Sequence, residues 1–305
     1  MKDLIESQLA YVPEVIGAPV VAPVFIVGGM GGSALPALIL RFLGASAYII
    51  VHRGYGMPDV VPAGASFVAI SYSGNTEETL SFANEALARG VPLSVITSGG
   101  ALLSLAQERS LPHVLVPQGM QPRDAILATA RALRALMGEP QLLPPASLSL
   151  LEDAEQAAST LAPLLAGSTP IFYTSLRNEA LGYLAKILCN ETAKMPAFSN
   201  VFPELNHNEM QGFGARDPGL LQPFVAVFLR DPGDDARTAR RMDLTEQLLA
   251  ERGVRTVRLD LPSSSRLETF LYGWTVMRTA TRSLAESAGV VADEVALIES
   301  FKAQL

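Results

Sequence analysis

Residues 15–40 carry no charged side chain. A run of that length and polarity is buried either in a membrane or in a protein core. Pro19, Pro23 and Pro36, with Gly17, Gly28, Gly29, Gly31 and Gly32, decide between the two. Proline removes a backbone donor and clashes with the preceding turn, and glycine adds its own entropic cost. An uninterrupted spanning helix does not suit this density of breakers. The segment reads instead as a buried strand, a glycine loop and a buried helix, which commits the chain to an α/β arrangement from its first forty residues.

The rest of the first half repeats the pattern. Segments 24–27, 47–51, 66–70, 92–97 and 113–116 read as short apolar strands, and 34–43 and 77–88 as helices. In the second helix Leu80, Ala83, Leu87 and Ala88 are expected to share the buried face. Short apolar strands alternating with helices imply a parallel sheet covered on both faces. Pro140, Pro144 and Pro145 mark a loop at 139–145 and the expected domain boundary, giving domains 1–145 and 146–305. The second half alternates again, with helices expected at 151–165, 178–189, 238–250 and 267–288. Strands are expected at 170–174, 224–229 and 256–259, and a tail ends in Lys302.

Composition narrows the function. The chain is 49% apolar and 17% charged over 305 residues, enough for two cores and too apolar for disorder. Its 23 basic and 30 acidic side chains leave a net charge of −7, so the basic footprint of a nucleic-acid binder is missing. Cys189 is the sole cysteine, which excludes an intrachain disulfide and a cysteine-ligated zinc. His52, His113 and His207 lie far apart and show no metal-ligand spacing, so no metal site is expected. The N-terminus lacks the apolar core of a signal peptide, and the expected location is the cytoplasm.

Two loops carry chemistry. Gly28-Gly29-Met30-Gly31-Gly32-Ser33 joins a strand to a helix, and its N–H groups face a positive helix end. Alone it admits three readings. One is a dinucleotide fingerprint through Gly29, Gly31 and Ala34, although His52 and Arg53 stand where an acid belongs. The others are a close-packing turn and a phosphate cradle with Gly32 and the Ser33 hydroxyl. Ser71-Tyr72-Ser73-Gly74-Asn75-Thr76-Glu77-Glu78-Thr79 is more specific. It also follows a strand and opens a helix. A helix cap explains one hydroxyl but not Ser71, Ser73 and Thr76 together beside a second anion-binding turn. These residues read as a phosphate site.

The second loop resembles the phosphosugar loop of sugar isomerase (SIS) domains. Gly29-Met30-Gly31-Gly32-Ser33 resembles the opening loop of the bifunctional phosphoglucose/phosphomannose isomerases, and Pro203-Glu204-Leu205-Asn206-His207-Asn208-Glu209 strengthens the likeness. The resemblance implies two SIS domains, each a flavodoxin-like αβα sandwich. It also implies an aldose–ketose isomerase acting on hexose 6-phosphates without a cofactor, as a homodimer with shared sites and no membrane or nucleic-acid partner.

Four further residues acquire roles from it. Glu191, which by itself reads as a helix-end carboxylate beside Lys194, matches the base that moves a proton between C1 and C2. His207, otherwise a loop histidine, matches the ring-opening group that the partner subunit donates. Arg123 is expected at the start of a helix facing Asp124 or a ligand, and matches the arginine that holds the enediolate. Lys302, otherwise a solvated lysine, matches the lysine near the C-terminus. The chain departs from the family in one respect. Residues 290–302 contain no threonine where the family carries one that leaves room for either C2 epimer. Glucose 6-phosphate with fructose 6-phosphate is therefore the leading substrate pair, with mannose 6-phosphate behind it. A sugar-phosphate sensor would keep both loops but has no use for Glu191, His207, Arg123 and Lys302 together.

Overall fold

The computed structural model describes residues 1–139, 143, 146–215 and 217–304. Two compact units divide the chain, Lys2–Pro145 and Ala146–Leu305, the second taking in Met1. Pro140, Pro144 and Pro145 lie outside the described residues. Among the described residues no helix is long and apolar enough to cross a membrane.

The first unit runs α1 (Lys2–Ala10), β1 (Val15–Ile16), β2 (Val24–Gly28), α2 (Leu35–Leu43), β3 (Tyr48–His52), β4 (Ala65–Ser71), α3 (Glu77–Ala88), β5 (Leu93–Thr97), α4 (Gly100–Glu108), β6 (His113–Leu115) and α5 (Ile126–Leu136). Its sheet has the order β1-β6-β5-β4-β2-β3. Only the two-residue β1 is antiparallel. Every residue of β4 and β5 is buried, as a strand must be when helices cover both faces. The uncharged segment 15–40 accordingly becomes β2, a 3₁₀ turn at Gly31–Ala34 and the buried α2.

Helix α3 keeps its expected bounds but not its expected face. Thr79, Phe82, Ala83 and Ala86 are buried, Leu80 and Leu87 pack at the margin, and Ala88 is exposed. Phe82 sets this rotation. Its ring meets Phe67 at 5.7 Å between centroids and lies over Gly28, where a Cβ would stand 2.6 Å from it.

The second unit runs α6 (Leu151–Leu165), β7 (Thr169–Ser175), α7 (Glu179–Glu191), β8 (Phe198–Phe202), α8 (Glu209–Gly212), β9 (Phe224–Arg230), α9 (Ala236–Glu251), β10 (Arg255–Asp260), α10 (Arg266–Ser287) and α11 (Ala296–Lys302). Its sheet is wholly parallel in the order β10-β9-β7-β8. Tyr173, Phe202 and Phe228 form an aromatic cluster on one face. Ser265 and Glu268 start α10 with a reciprocal capping box. The tail that ends in Lys302 contains the helix α11. Both units are parallel sheets flanked by helices. In each, the first parallel strand lies between the second and the third, so strand order reverses beside it.

Candidate functional site

In the first unit the reversal falls between β2 and β4, the place where open α/β sheets bind ligands beyond the carboxyl ends of the strands. Both chemistry-bearing loops leave from there. Gly28 pairs with Ala69 across the two strands, so the glycine loop and the serine–threonine loop emerge side by side. Gly74 makes the second loop possible. Its φ is +73°, and a Cβ there would collide with the Gly99 carbonyl.

The hydroxyls are already organised. Ser71, the last residue of β4, is fully buried; its Oγ lies 2.9 Å from Thr76 Oγ1 and accepts the Gly74 N–H at 3.1 Å. Ser33 Oγ accepts the Tyr72 N–H at 3.2 Å and so joins the two loops. Ser73 is exposed and its Oγ accepts the Asn75 N–H at 3.3 Å. Thr76 is the N-cap residue of α3, yet its side chain makes no cap bond. The first-turn N–H groups of α3 are thus left to face the crevice with the helix's positive end.

Arg123 completes this cluster. It stands in a turn ahead of α5 rather than at a helix start, it is 1% exposed, and it donates to Gln121 Oε1 at 3.3 Å. Its backbone packs on the glycine loop, where a Cβ on Gly32 would sit 2.8 Å from Arg123 N. Gly32, Ser33, Ser71, Ser73, Thr76 and Arg123 therefore come from three loops at one end of one sheet. The strand after the glycine loop ends at His52, whose ring stacks on Phe82 at 5.6 Å. The Glu85 carboxylate near that ring accepts the Met57 N–H at 2.8 Å and pairs with Arg89.

Glu191, His207 and Lys302 belong to the second unit. Glu191 is the half-buried last residue of α7. Just beyond it Lys194 adopts φ +56°, and its Nζ donates to the carbonyls of Glu191 at 2.5 Å and of Glu294 at 2.5 Å. This ammonium ties the end of α7 to the segment leading into α11. Lys302 lies on α11, exposed, 3.1 Å from Glu299 Oε1.

His207 ends a 3₁₀ turn, Glu204–His207, after the cis Phe202–Pro203 bond. Its imidazole is exposed and hydrogen-bonds to nothing among the described residues. Its neighbours are anchored instead. Asn206 Nδ2 donates to Thr245 Oγ1 at 2.8 Å. The Glu209 carboxylate accepts the Tyr173 hydroxyl at 2.7 Å and Asn200 Nδ2 at 2.6 Å. Burial, and after it the Glu209 carboxylate, pushes the Tyr173 phenol far upward, so it remains a donor. Sequence reasoning missed Tyr173, Asn200 and Glu209 as supports of this turn. The polar richness of 204–209 was the available signal, but the partners are up to 36 residues away.

The model of the bacterial phospho-glucose isomerase C-terminal SIS domain matches residues 154–305. The bifunctional phosphoglucose/phosphomannose isomerase of Aquifex aeolicus is 32% identical over 285 residues, covering 91% of this chain and 88% of its own. The chain belongs to the bifunctional phosphoglucose/phosphomannose isomerase family. A family member from Thermoplasma acidophilum is 30% identical over 92% of this chain and 89% of its own. A glucose-6-phosphate isomerase like protein from Thermus thermophilus shares the fold with a TM-score of 0.57 at 17% identity, covering 98% of this chain and 93% of that one. A D-glucosamine-6-phosphate 4-epimerase from Sulfolobus acidocaldarius is 31% identical over 65% of this chain and 66% of its own, so the isomerase family has relatives with another chemistry.

Proposed function

We propose that this protein interconverts glucose 6-phosphate and fructose 6-phosphate, with mannose 6-phosphate as a further substrate. The observation that carries this reading is the full-length likeness to the bifunctional isomerases, about 30% identical over nine-tenths of both chains. The crevice of the first unit agrees with it, because it offers hydroxyls and helix-end N–H groups to an anion.

In this reading each unit is one SIS domain, 1–145 and 146–305. Gly32, Ser33, Ser71, Ser73 and Thr76 hold the substrate phosphate. Ser71 acts through its bonds to Thr76 and Gly74, because its own hydroxyl is engaged. His207 opens the ring: a proton leaves the C1 hydroxyl oxygen, the C1–O5 bond breaks, and a proton is delivered to O5. The Glu191 carboxylate then takes the C2 proton, leaving a cis-enediolate with its charge on O1. Moving the O2 proton to O1, so that the charge passes to O2, and returning the abstracted proton to C1 as the C2=O2 bond forms gives the ketose. Arg123 and Lys302 stabilise the enediolate, which needs positive charge near O1. This sequence calls on no cofactor and no metal ion. We place the enzyme in the cytoplasm as a homodimer in which His207 of one subunit serves the site of the other.

The test is an assay of purified protein with glucose, fructose and mannose 6-phosphates, with glucosamine 6-phosphate included because of the epimerase relative. Glucose 6-phosphate should give fructose 6-phosphate, and Glu191→Gln should lower kcat about 10²–10⁴-fold with little change in KM. Wild-type turnover in Glu191→Gln removes the mechanism; turnover of glucosamine 6-phosphate alone removes the substrate assignment.

A further inference from the structure

The geometry points to Tyr72 as the positioning residue that sets the Arg123 turn against the phosphate loop, an inference that rests on the role given to Arg123 above. Tyr72 sits between Ser71 and Ser73, but its side chain leaves their loop. Its hydroxyl donates to the Pro117 carbonyl at 2.7 Å and accepts the Met120 N–H at 3.1 Å. Both partners lie on the stretch that runs from β6 to Arg123. The backbone of Tyr72 serves the other loops. Its N–H reaches Ser33 Oγ, and its carbonyl accepts the N–H of Ser98 at 3.0 Å and the Ser98 hydroxyl at 2.6 Å. Gln118 Nε2 closes the circuit by donating to the Ser98 carbonyl at 2.6 Å.

One residue thus meets the glycine loop, the turn after β5 and the Arg123 stretch, and only the last link runs through its side chain. That division makes the role separable. Removing the hydroxyl leaves the phosphate loop's own bonds intact and frees only the stretch carrying Arg123. Elsewhere Arg123 N abuts Gly32, and the adjoining Asp124 carbonyl accepts Gln8 Nε2 at 2.7 Å. Burial pushes the Tyr72 phenol upward, so the hydroxyl keeps its proton and the donation to Pro117 persists across the neutral range. A group that stabilises charge forming on one substrate oxygen is sensitive to displacements of about 1 Å, whereas capture of a distal phosphate is not.

The experiment compares Tyr72→Phe, Arg123→Ala and the double variant with wild type, using glucose 6-phosphate turnover and two inhibitors. Inorganic phosphate reports the phosphate loop. Arabinonate 5-phosphate, whose carboxylate imitates the enediolate charge, reports the Arg123 side. Tyr72→Phe should lower kcat about tenfold and weaken arabinonate 5-phosphate by a similar factor, with KM and inhibition by inorganic phosphate within about twofold of wild type. In the Arg123→Ala background it should cost less than about twofold more, since residues acting as one unit are not additive. Gln118→Leu, which leaves Tyr72 in place, should give a smaller split of the same sign, and it carries the test if Tyr72→Phe does not fold. Wild-type kcat in both Tyr72→Phe and Gln118→Leu, or a loss that falls equally on both inhibitors, overturns the inference while leaving the Arg123 assignment standing. Wild-type kcat in Arg123→Ala overturns that assignment, and this inference with it.

Discussion

Ser71 is wholly buried, yet its hydroxyl has two neighbours within hydrogen-bond reach, Thr76 Oγ1 and the Gly74 N–H. It holds a loop in shape from below. Removing it should leave the Gly74 N–H to the Ser71 carbonyl alone, at 3.1 Å, and loosen Thr76. Ser71→Ala is therefore expected to lower stability by about 0.5–1.5 kcal/mol, the net worth of a lost hydrogen bond, and to raise KM for the sugar phosphate. Urea melts beside steady-state kinetics check both halves; unchanged KM would show that the loop keeps its shape unaided. Ser73, exposed at the rim, should behave differently. Ser73→Ala should raise KM with no measurable change in the melt. Gly32→Ala tests the neighbouring loop. Its new Cβ would press on Arg123 N at 2.8 Å, and neither backbone can yield freely. A destabilisation of about 1–3 kcal/mol is expected, with a drop in kcat. At this scale the hydroxyl set was legible because residue type and spacing carry it. The division of labour between buried Ser71 and exposed Ser73 was not, because it depends on where β4 ends and how Gly74 folds the loop back.

The two sheets share a strand order but not what fills the reversal point. In the first unit hydroxyls lie there. In the second, the loop after β9 brings its own carboxylates to the end of β7. Ser175 Oγ donates to Asp234, Asn178 Nδ2 donates to Asp231 at 2.9 Å, and Arg266 donates to Asp231 at 2.8 Å. The second crevice is thus occupied by anions of the chain itself, while the first is suited to an anion from outside. Burial pushes the Asp231 carboxyl up, but the Gly233 N–H, the Asn178 amide, Arg177 and Arg266 outweigh it and hold the group below the usual range. Its contribution to stability is complete above the unfolded value of about 3.9 and is lost as pH falls through the lower folded value. Asp231→Asn should therefore cost about 1.5–3 kcal/mol at pH 7 by urea melt, the worth of a charged hydrogen bond, and much less near pH 3. Asp234 is shifted the other way, by burial and then by the Asp231 charge. Its charged form opposes folding once pH exceeds its raised folded value. Asp234→Asn, which can still accept from Ser175, should raise Tm at pH 7 by about 2 °C, and the gain should vanish on acidification. None of this pairing was legible in the sequence. The strands were, where apolar runs such as β4 and β5 announce burial on both faces. Strand β8 escaped because it is an edge strand, Phe198-Ser199-Asn200-Val201-Phe202, with one buried residue and polar side chains between. α11 escaped because Leu297, Ile298 and Phe301 lack a buried face to give them a period.

Across the whole molecule, the net charge of −7 opposes a dianionic substrate at long range, so under the proposed function capture depends on the local groups of the first unit rather than on steering. The same sparse charge leaves apolar side chains on α11 open: Leu297 is 86% exposed and Phe301 62%. Under the proposed homodimer a second subunit accounts for such surface, and shared sites give the proposal a sharp consequence. If His207 serves the partner's Glu191, then Glu191→Gln and His207→Ala should complement each other. In a mixed dimer one site combines both defects and is dead, while the other combines an intact Glu191 with an intact His207. Mixing equal amounts after reversible dissociation makes about half of the dimers mixed, each with one live site of two. Activity should then recover to about a quarter of the wild-type level from two nearly inactive preparations. If each chain builds its site alone, every site in the mixture keeps one defect and nothing is recovered. Activity followed against the mixing ratio, with dimer exchange monitored by light scattering, separates the two arrangements, and it does so whichever hexose 6-phosphate is turned over fastest.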